Sequence, residues 1–405
     1  MNIMEKLCAG PRVTKEARSK KMHQELSNMD SLPREIALDI LSRLPITSLI
    51  QIKWVCRSWR SLAQDPLLAT MHLSRMNDND PGLILHCDLP LQNHLYSLHL
   101  SAPDIVTRLR GPMISEFAIV GSCNGLLCLW HSLYKDKCYI YNPFTRDFKE
   151  LPRPEQFQTQ TRVAMGFGFH PGTKEYKVVR IVYYRNEDEA SSFQVRRYLP
   201  ESNVQVLTLG SGRSTWRSKG KTCYQILGSG RPYQSNVLLN GRLHWLTCRH
   251  RHQSLRLLVS FDLADEQFQE VPNPDGMFGR RCSHLAILRG YLSAIVQGFR
   301  RLSIWVMKEY GVKESWVKEF NIGDHLPRHM DLNQEQFIYI PEYPINCSQA
   351  RVLCLLKNGE ILLEYKRRSL FSCDLKSGAF RELVGGSLPE SFSTIVHIGS
   401  LKLIN

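Results

Sequence analysis

The feature that most constrains this chain is a recurring phrase: two β-rich runs joined by Asn-Gly or Arg-Gly, then two more that turn at Asp or Asn and close on Phe-x-Glu-Leu or Phe-x-Glu-Val. One copy reads Ser122-Cys-Asn-Gly-Leu-Leu-Cys-Leu, then Cys138 to Pro152. A second reads Val237 to Leu246, then Leu258 to Pro272. A third runs from Leu285 to Ala294, on to Leu302–Met307 and Trp316–Phe320; a fourth runs from Leu353 to Leu363, then Leu370 to Leu383. A more divergent copy starts at Gly166-Phe-Gly-Phe and continues through Tyr176–Tyr184 and Val204–Leu209 to Trp216. Asn-Gly suits a type I′ hairpin because both turn residues need positive φ. Units of four strands repeated radially protect their sheet edges, so the spacing predicts an all-β domain, a β-propeller of about six blades. The sixth blade would be assembled from Thr394–Leu403 and Leu83–Leu100, joining both ends of the chain. A β-sandwich or an open stack of hairpins remains open on periodicity alone.

Residues 29–75 follow a different period. Asp30 and Ser31 before Pro33 suit a helix start, with Glu35 in the first turn. Ile36, Ile40, Leu41 and Leu44 recur at helical spacing until Pro45, and the residue before a proline disfavours the α region. A second short helix is predicted from Thr47 or Ser48, and beyond it Leu49, Ile52, Val55, Cys56, Trp59 and Leu62 fall three or four residues apart. Three helices in so small a unit cannot bury this much apolar surface alone. Part of the stripe must therefore cover something else, either a partner or the chain's own β domain.

A length of 405 residues exceeds one typical domain, and a small unit followed by a large one fits it. The formal charge of +14 permits nucleic acid, an anionic membrane or an acidic protein as partner without choosing among them. Its clearest clusters are Lys15, Arg18, Lys20 and Lys21, then Arg249 with Arg251, Arg280 with Arg281, Arg300 with Arg301, and Lys366 to Arg368. These read as solvated loop residues. The first 28 residues mix lysine and arginine with Glu5, Glu16 and Glu25, which argues against a transit peptide and reads as a disordered basic arm. Twelve irregularly spaced cysteines without a signal peptide are expected to stay reduced. No run approaches the roughly 18 apolar residues of a membrane span. A cytoplasmic or nuclear protein is expected.

Chemical motifs are sparse. Gly220-Lys-Thr lacks the glycine a phosphate loop needs five residues earlier, where Thr215 stands. Gly166-x-Gly168 runs into Pro171 without a βαβ context and reads as strand glycine. Cys123, Cys128, Cys138 and His131 form no Cys-x-x-Cys framework, so the cysteines read as small buried hydrophobes. His250 and His252, like the run Glu187-Asp188-Glu189, read as loop residues. Trp130, Trp216, Trp245, Trp305 and Trp316 recur at blade-like positions and are expected in inter-blade packing. No catalytic, cofactor-binding or metal residue is expected, although a Cys-His or Ser-His-Asp set that meets only in space would leave no trace here.

Leu32-Pro33, Ile40-Leu41, Arg43-Leu44-Pro45, Ser48-Leu49, Lys53, Val55-Cys56-Arg57, Trp59 and Leu62 stand in the order of the plant F-box pattern, and the unit resembles that family. The resemblance implies a three-helix module that grips a Skp-type adaptor, which bridges to a cullin. Carried over, Leu32, Pro33, Ile36, Ile40, Leu41, Leu44, Pro45, Leu49, Ile52, Val55, Cys56 and Trp59 face the adaptor or support that face. Thr47, often lysine in the family, and Ile52, often phenylalanine, are departures that bear on affinity. Gly121-Ser-Cys-Asn-Gly-Leu-Leu-Cys, Tyr141-Asn-Pro-Phe-Thr, Gly166-Phe-Gly-Phe and Tyr176-Lys-Val-Val resemble the kelch-like F-box-associated domain of plant proteins. The layout implied is a basic arm at 1–28, an F-box at 29–75 and a propeller-like binding domain at 82–405. The function implied is the non-catalytic substrate-recognition subunit of a Skp-cullin-F-box ubiquitin ligase, with an unidentified target bound through loops of the β domain. Neither a membrane nor nucleic acid is an expected partner. The alternatives are a binding scaffold outside a working ligase, a basic nucleic-acid-binding propeller, and a propeller enzyme.

Overall fold

The computed structural model describes residues 32–404 except 78, 88–92, 101–104, 115, 132–133, 135, 158–159, 185–200, 211–214, 227–235, 250–251, 275–281, 299–300, 323–335, 341–342, 348–349, 384–388 and 390. The basic arm, Asp30, Ser31, the run Glu187–Glu189, His250, Arg251, Arg280, Arg281 and Arg300 lie outside the described residues. Two compact units, Met1–Arg75 and Met76–Asn405, divide the chain.

The first unit holds helices α1 (Arg34–Leu41), α2 (Ile46–Ile52), α3 (Arg57–Ala63) and the start of α4 (Pro66–Asn77). Prolines at 33 and 45, both extended, open α1 and α2. The Cys56 Sγ accepts the Trp59 amide and caps α3, while Asp65 Oδ1 accepts the Leu67 amide at 2.9 Å at the start of α4. That fourth helix was not expected. Its stripe is hard to read because His72 is buried beside Leu68, with Nε2 3.1 Å from the Leu44 carbonyl. Ala37, Leu38, Leu41, Ile46, Leu49, Ile52, Ala63 and Leu68 form the interior. Around it Asp39 pairs with Arg43 and Arg75, and Arg34 pairs with Asp65.

The second unit is a six-bladed propeller. Blade 1 is β4–β7 (Phe117–Cys123, Leu126–His131, Cys138–Tyr141, Phe148–Glu150) and blade 2 is β8–β11 (Gln160–His170, Glu175–Tyr184, Glu201–Leu209, Arg217–Gly220). Blade 3 is β12–β16 (Tyr224–Ile226, Val237–Leu239, Arg242–Arg249, His252–Asp262, Phe268–Val271) and blade 4 is β17–β20 (Cys282–Leu288, Tyr291–Gly298, Arg301–Met307, Trp316–Ile322). A hairpin, β21 and β22 (Gln336–Ile340, Tyr343–Cys347), precedes blade 5, which is β23–β26 (Ala350–Leu355, Glu360–Tyr365, Ser369–Asp374, Phe380–Glu382). Blade 6 is β27 (Ser393–His397) with β1–β3 (Gly82–Cys87, His94–Leu98, Val106–Leu109). The ring therefore closes by pairing the two ends of the domain, in register at Ile84 with Ile395.

Burial follows the seams between blades. Val120, Cys128 and Ile140 pack with Val163, Met165 and Val178 between blades 1 and 2, and Val179, Ile181 and Val206 pack with Leu243, Trp245 and Phe261 between blades 2 and 3. The remaining four seams are built alike, ending where Ile84 and Leu95 meet Phe117 and Tyr141. Close approach across one seam explains two glycines: a Cβ on Gly166 would stand 2.7 Å from Trp245 Cζ2, and one on Gly168 would stand 2.6 Å from Leu238 Cδ1. The tryptophans serve the seams too. Trp216 Nε1 donates to the Pro152 carbonyl at 2.7 Å, and Trp316 Nε1 donates to that of Pro272 at 2.8 Å, so the same strap recurs two blades later.

The expected turns are present. Asn124-Gly125, Asn240-Gly241 and Arg289-Gly290 hold positive φ at both positions, as type I′ requires. Asn142 of the Tyr141-Asn-Pro-Phe motif accepts the amides of Phe144 and Thr145 on Oδ1 and donates through Nδ2 to the Ser400 and Lys402 carbonyls at 2.9 and 2.8 Å. One buried side chain thus makes a turn and latches the chain end. Blade 3 departs from the pattern: β12 and β13 share one edge of β14, opposite Thr247–Arg249 and Arg242–His244, so its innermost strand is interrupted. Just before β13, Asn236 Nδ2 donates to the Val120 and Met165 carbonyls of two neighbouring innermost strands.

Candidate adaptor-docking surface

The twelve residues singled out on the helical unit divide into an inside and an outside. Leu41, Leu49 and Ile52 are buried in its core; Leu32, Leu44, Cys56 and Trp59 are half-buried; Pro33, Ile36, Ile40, Pro45 and Val55 are exposed. Helix α1 does both jobs, since Ala37, Leu38 and Leu41 face inward while Ile36 and Ile40, one turn apart, stay 49% and 40% exposed. Thr47 is exposed and Ile52 buried, so the second family departure alters the interior.

A further residue belongs to this surface. After α2 the chain turns tightly, with the Trp54 amide on the Gln51 carbonyl and the Val55 amide on that of Ile52, while Arg60 Nε holds the Lys53 carbonyl at 3.1 Å. The turn leaves Trp54 81% and Val55 49% exposed. An exposed indole of that extent in so small a unit is a candidate docking feature, since it packs against little of its own unit. Sequence reasoning missed it because Trp54 lies off the helical stripe. That mismatch, a large aromatic out of phase with every buried neighbour, is the signal that marks it.

The second unit's candidate reactive groups are structural. Burial pushes the Cys123 and Cys138 thiols up to about 12 and raises that of Cys128 well above its ordinary value, the reverse of a reactive or metal-binding thiol. His131 is held below its ordinary value, chiefly by burial, and its ring meets Tyr134 edge-on. Burial likewise holds His244 down to about 4, with Nε2 2.8 Å from the Tyr310 hydroxyl. Among the described residues no three His, Cys, Asp or Glu side chains gather as a metal site. A recess of about 200 Å³ beside blade 2 is lined by Pro152, Arg153, Gln205 and Trp216. Gln205 in its wall accepts the buried Arg180 Nη1 at 2.6 Å, so this cation serves to tie blade 2 to the preceding connection.

Residues 29–73 match the family described as F-box-like, and residues 81–343 match the F-box associated beta propeller domain. The Arabidopsis thaliana F-box protein At3g07870 is 46% identical over 391 residues, covering 92% of each chain. An F-box/kelch-repeat protein of the same plant, At3g23880, is 28% identical over 316 residues, 74% of this chain and 81% of that one. The F-box protein CPR1, also from Arabidopsis thaliana, is 28% identical over 400 residues, 93% of this chain and 89% of its own. A four-helix N-terminal unit with apolar residues left outside, a ring of six blades and a match over nearly the whole length converge on one assignment: the chain belongs to the plant F-box proteins that carry an F-box-associated β-propeller domain.

Proposed function

We propose that this protein is the substrate-recognition subunit of a Skp-cullin-F-box ubiquitin ligase. The F-box, residues 29–75, binds a Skp-type adaptor and through it a cullin; the domain at 82–405 holds a target protein. The single observation that carries the reading is the exposed apolar set Ile36, Ile40, Trp54 and Val55, standing around a core too small to cover it. Leu41, Leu49 and Ile52 support that set from inside. The chain then acts by proximity, since holding a target near a charged conjugating enzyme raises effective concentration without an acid, base or metal of its own. Such a role belongs in the cytoplasm or the nucleus.

The test is reconstitution from purified components. Full-length protein mixed with a Skp-type adaptor and a cullin scaffold should elute from a sizing column as one stoichiometric complex. Elution of the folded protein apart from the adaptor would overturn the F-box reading. Capture of the adaptor with exclusion of the cullin would leave a scaffold outside a working ligase.

A further inference from the structure

In each blade the second strand ends and the third begins on one face of the ring, and the first and third strands end on the other, because successive strands run in opposite directions. On that first face two consecutive blades each place a described cation at this point. Arg301 opens β19 of blade 4, paired with Gly298, and Lys366, Arg367 and Arg368 make the turn in blade 5 between the paired residues Tyr365 and Ser369.

Blade 5 is the most informative. Lys366 and Arg367 adopt left-handed backbone, φ 49° and 58°, as Arg146 and Lys174 do at turns of the opposite face. Lys366 lies over the Tyr365 ring, 5.3 Å from its centre, and is exposed, as are Arg368 and Arg301; Arg367 is tied to the Phe392 carbonyl.

Counter-ions separate these groups from other cations of the domain. Near the opposite turns Glu266 gathers Lys177, Arg217 and Lys219, Asp262 holds Arg242, and Glu360 holds Arg381. On the first face, at blades 1 and 2, Arg153 meets Asp136 and Lys221 meets Glu201. Among the described residues no carboxylate pairs with Arg301, Lys366 or Arg368. Glu364, two residues before Lys366, is buried and spends an oxygen on the Thr394 amide at 2.5 Å.

We infer that the face on which second strands end and third strands begin, at blades 4 and 5 where it carries Arg301, Lys366 and Arg368, binds a short anionic peptide segment of the target. The inference rests on the receptor reading above and names the chemistry of what is received. A short arc suits a peptide better than a nucleic acid, whose salt-dependent grip draws on roughly six to ten phosphate contacts. Complementary charge of this kind sets partner choice and speeds encounter more than it adds raw affinity, so binding weakens as salt rises.

The experiment titrates the full-length protein into fluorescein-labelled dodecapeptides, one rich in glutamate and one with phosphoserines at the same positions, at low and at physiological salt. The variant R301E/K366E/R368E is compared with R146E/K174E/K376E, which makes the same change in net charge at turns of the opposite face. The first triple variant should lose at least tenfold in affinity, about 1.4 kcal/mol, while the second stays within about threefold of wild type. Equal affinity for the two peptides shows that carboxylate suffices, and a tenfold gain with phosphoserine assigns phosphate as the preferred anion. The inference is overturned by absence of peptide binding in the wild type, by equal losses in both variants, or by duplex DNA displacing the peptide at equal concentration. Adaptor capture is measured on the same samples. Its failure in the wild type sinks the receptor reading, whereas peptide loss with capture intact bears on the turns alone.

Discussion

The helical unit and the propeller treat their large apolar side chains in opposite ways. In the propeller Trp245, Phe167 and Phe261 disappear into seams, and the ring closes by pairing the domain's two ends within blade 6. In the F-box Leu41, Leu49 and Ile52 form a small interior while Ile36, Ile40, Trp54 and Val55 stay outside. A ring of sheets can satisfy itself because every blade has two neighbours. Four short helices cannot, and what they leave uncovered is the measure of the partner they need.

The most damaging way to break this contrast is to charge the F-box interior. Leu41→Arg buries an unpaired guanidinium and should cost more than about 4 kcal/mol, unfolding the helical unit and abolishing adaptor capture with it. Circular dichroism and a sizing column on the variant check this; helical signal and capture both preserved would mean Leu41 is not core.

Acid should act first on the propeller. Burial, with Arg351 adding to it, holds His284 down to about 3, and the Val352 amide donates to its Nε2, which must then be unprotonated. Burial holds His397 down to about 3 as well. The unfolded chain takes up these protons near 6.5, so the stability they represent is complete above that pH and drains away as pH falls towards 3. At pH 5 the loss is about 2 kcal/mol for each ring. Denaturant melts at pH 7 and 5 test the slope, and His284→Gln should flatten it. A midpoint that does not move between the two would contradict the burial argument.

Trimming the outside of the F-box sharpens the contrast. Trp54→Ala should weaken adaptor binding by about 2–3 kcal/mol, as an exposed aromatic anchor does, and leave thermal stability within about 0.5 kcal/mol of wild type. The smallest effect belongs to a single strap in a seam: Trp316→Phe keeps the ring and loses the bond to Pro272, for about 1 kcal/mol of propeller stability and no change in adaptor binding. A melting curve with the adaptor titration alongside reads both.

Much of the fold could be read in advance, because turn chemistry is local. Asn124-Gly125 and Asn240-Gly241 announce hairpins, Phe-x-Glu-Leu closes blades, and the ends at Leu83 and Thr394 had to pair if the ring was to leave no open edge. The fourth helix escaped because a histidine, His72, occupies its inner face. Likewise unforeseen were the hairpin β21–β22 and the split edge of blade 3, which break the repeat rather than follow it. On the F-box the apolar stripe was legible, but periodicity does not say which side of it points in. Ile40 and Leu41 are neighbours in sequence, one outside and one inside, and Trp54 belongs to the surface without belonging to the stripe. Sorting them took a third dimension.

The most direct test of that sorting is the adaptor affinity of an exterior variant whose fold is intact. Calorimetric titration of a Skp-type adaptor into wild type and into I40E/W54A, with melting curves on both, is expected to show a loss of at least a hundredfold in affinity with an unchanged midpoint. Full affinity in the well-folded double variant would contradict the claim that the uncovered apolar face of the F-box is where the adaptor docks.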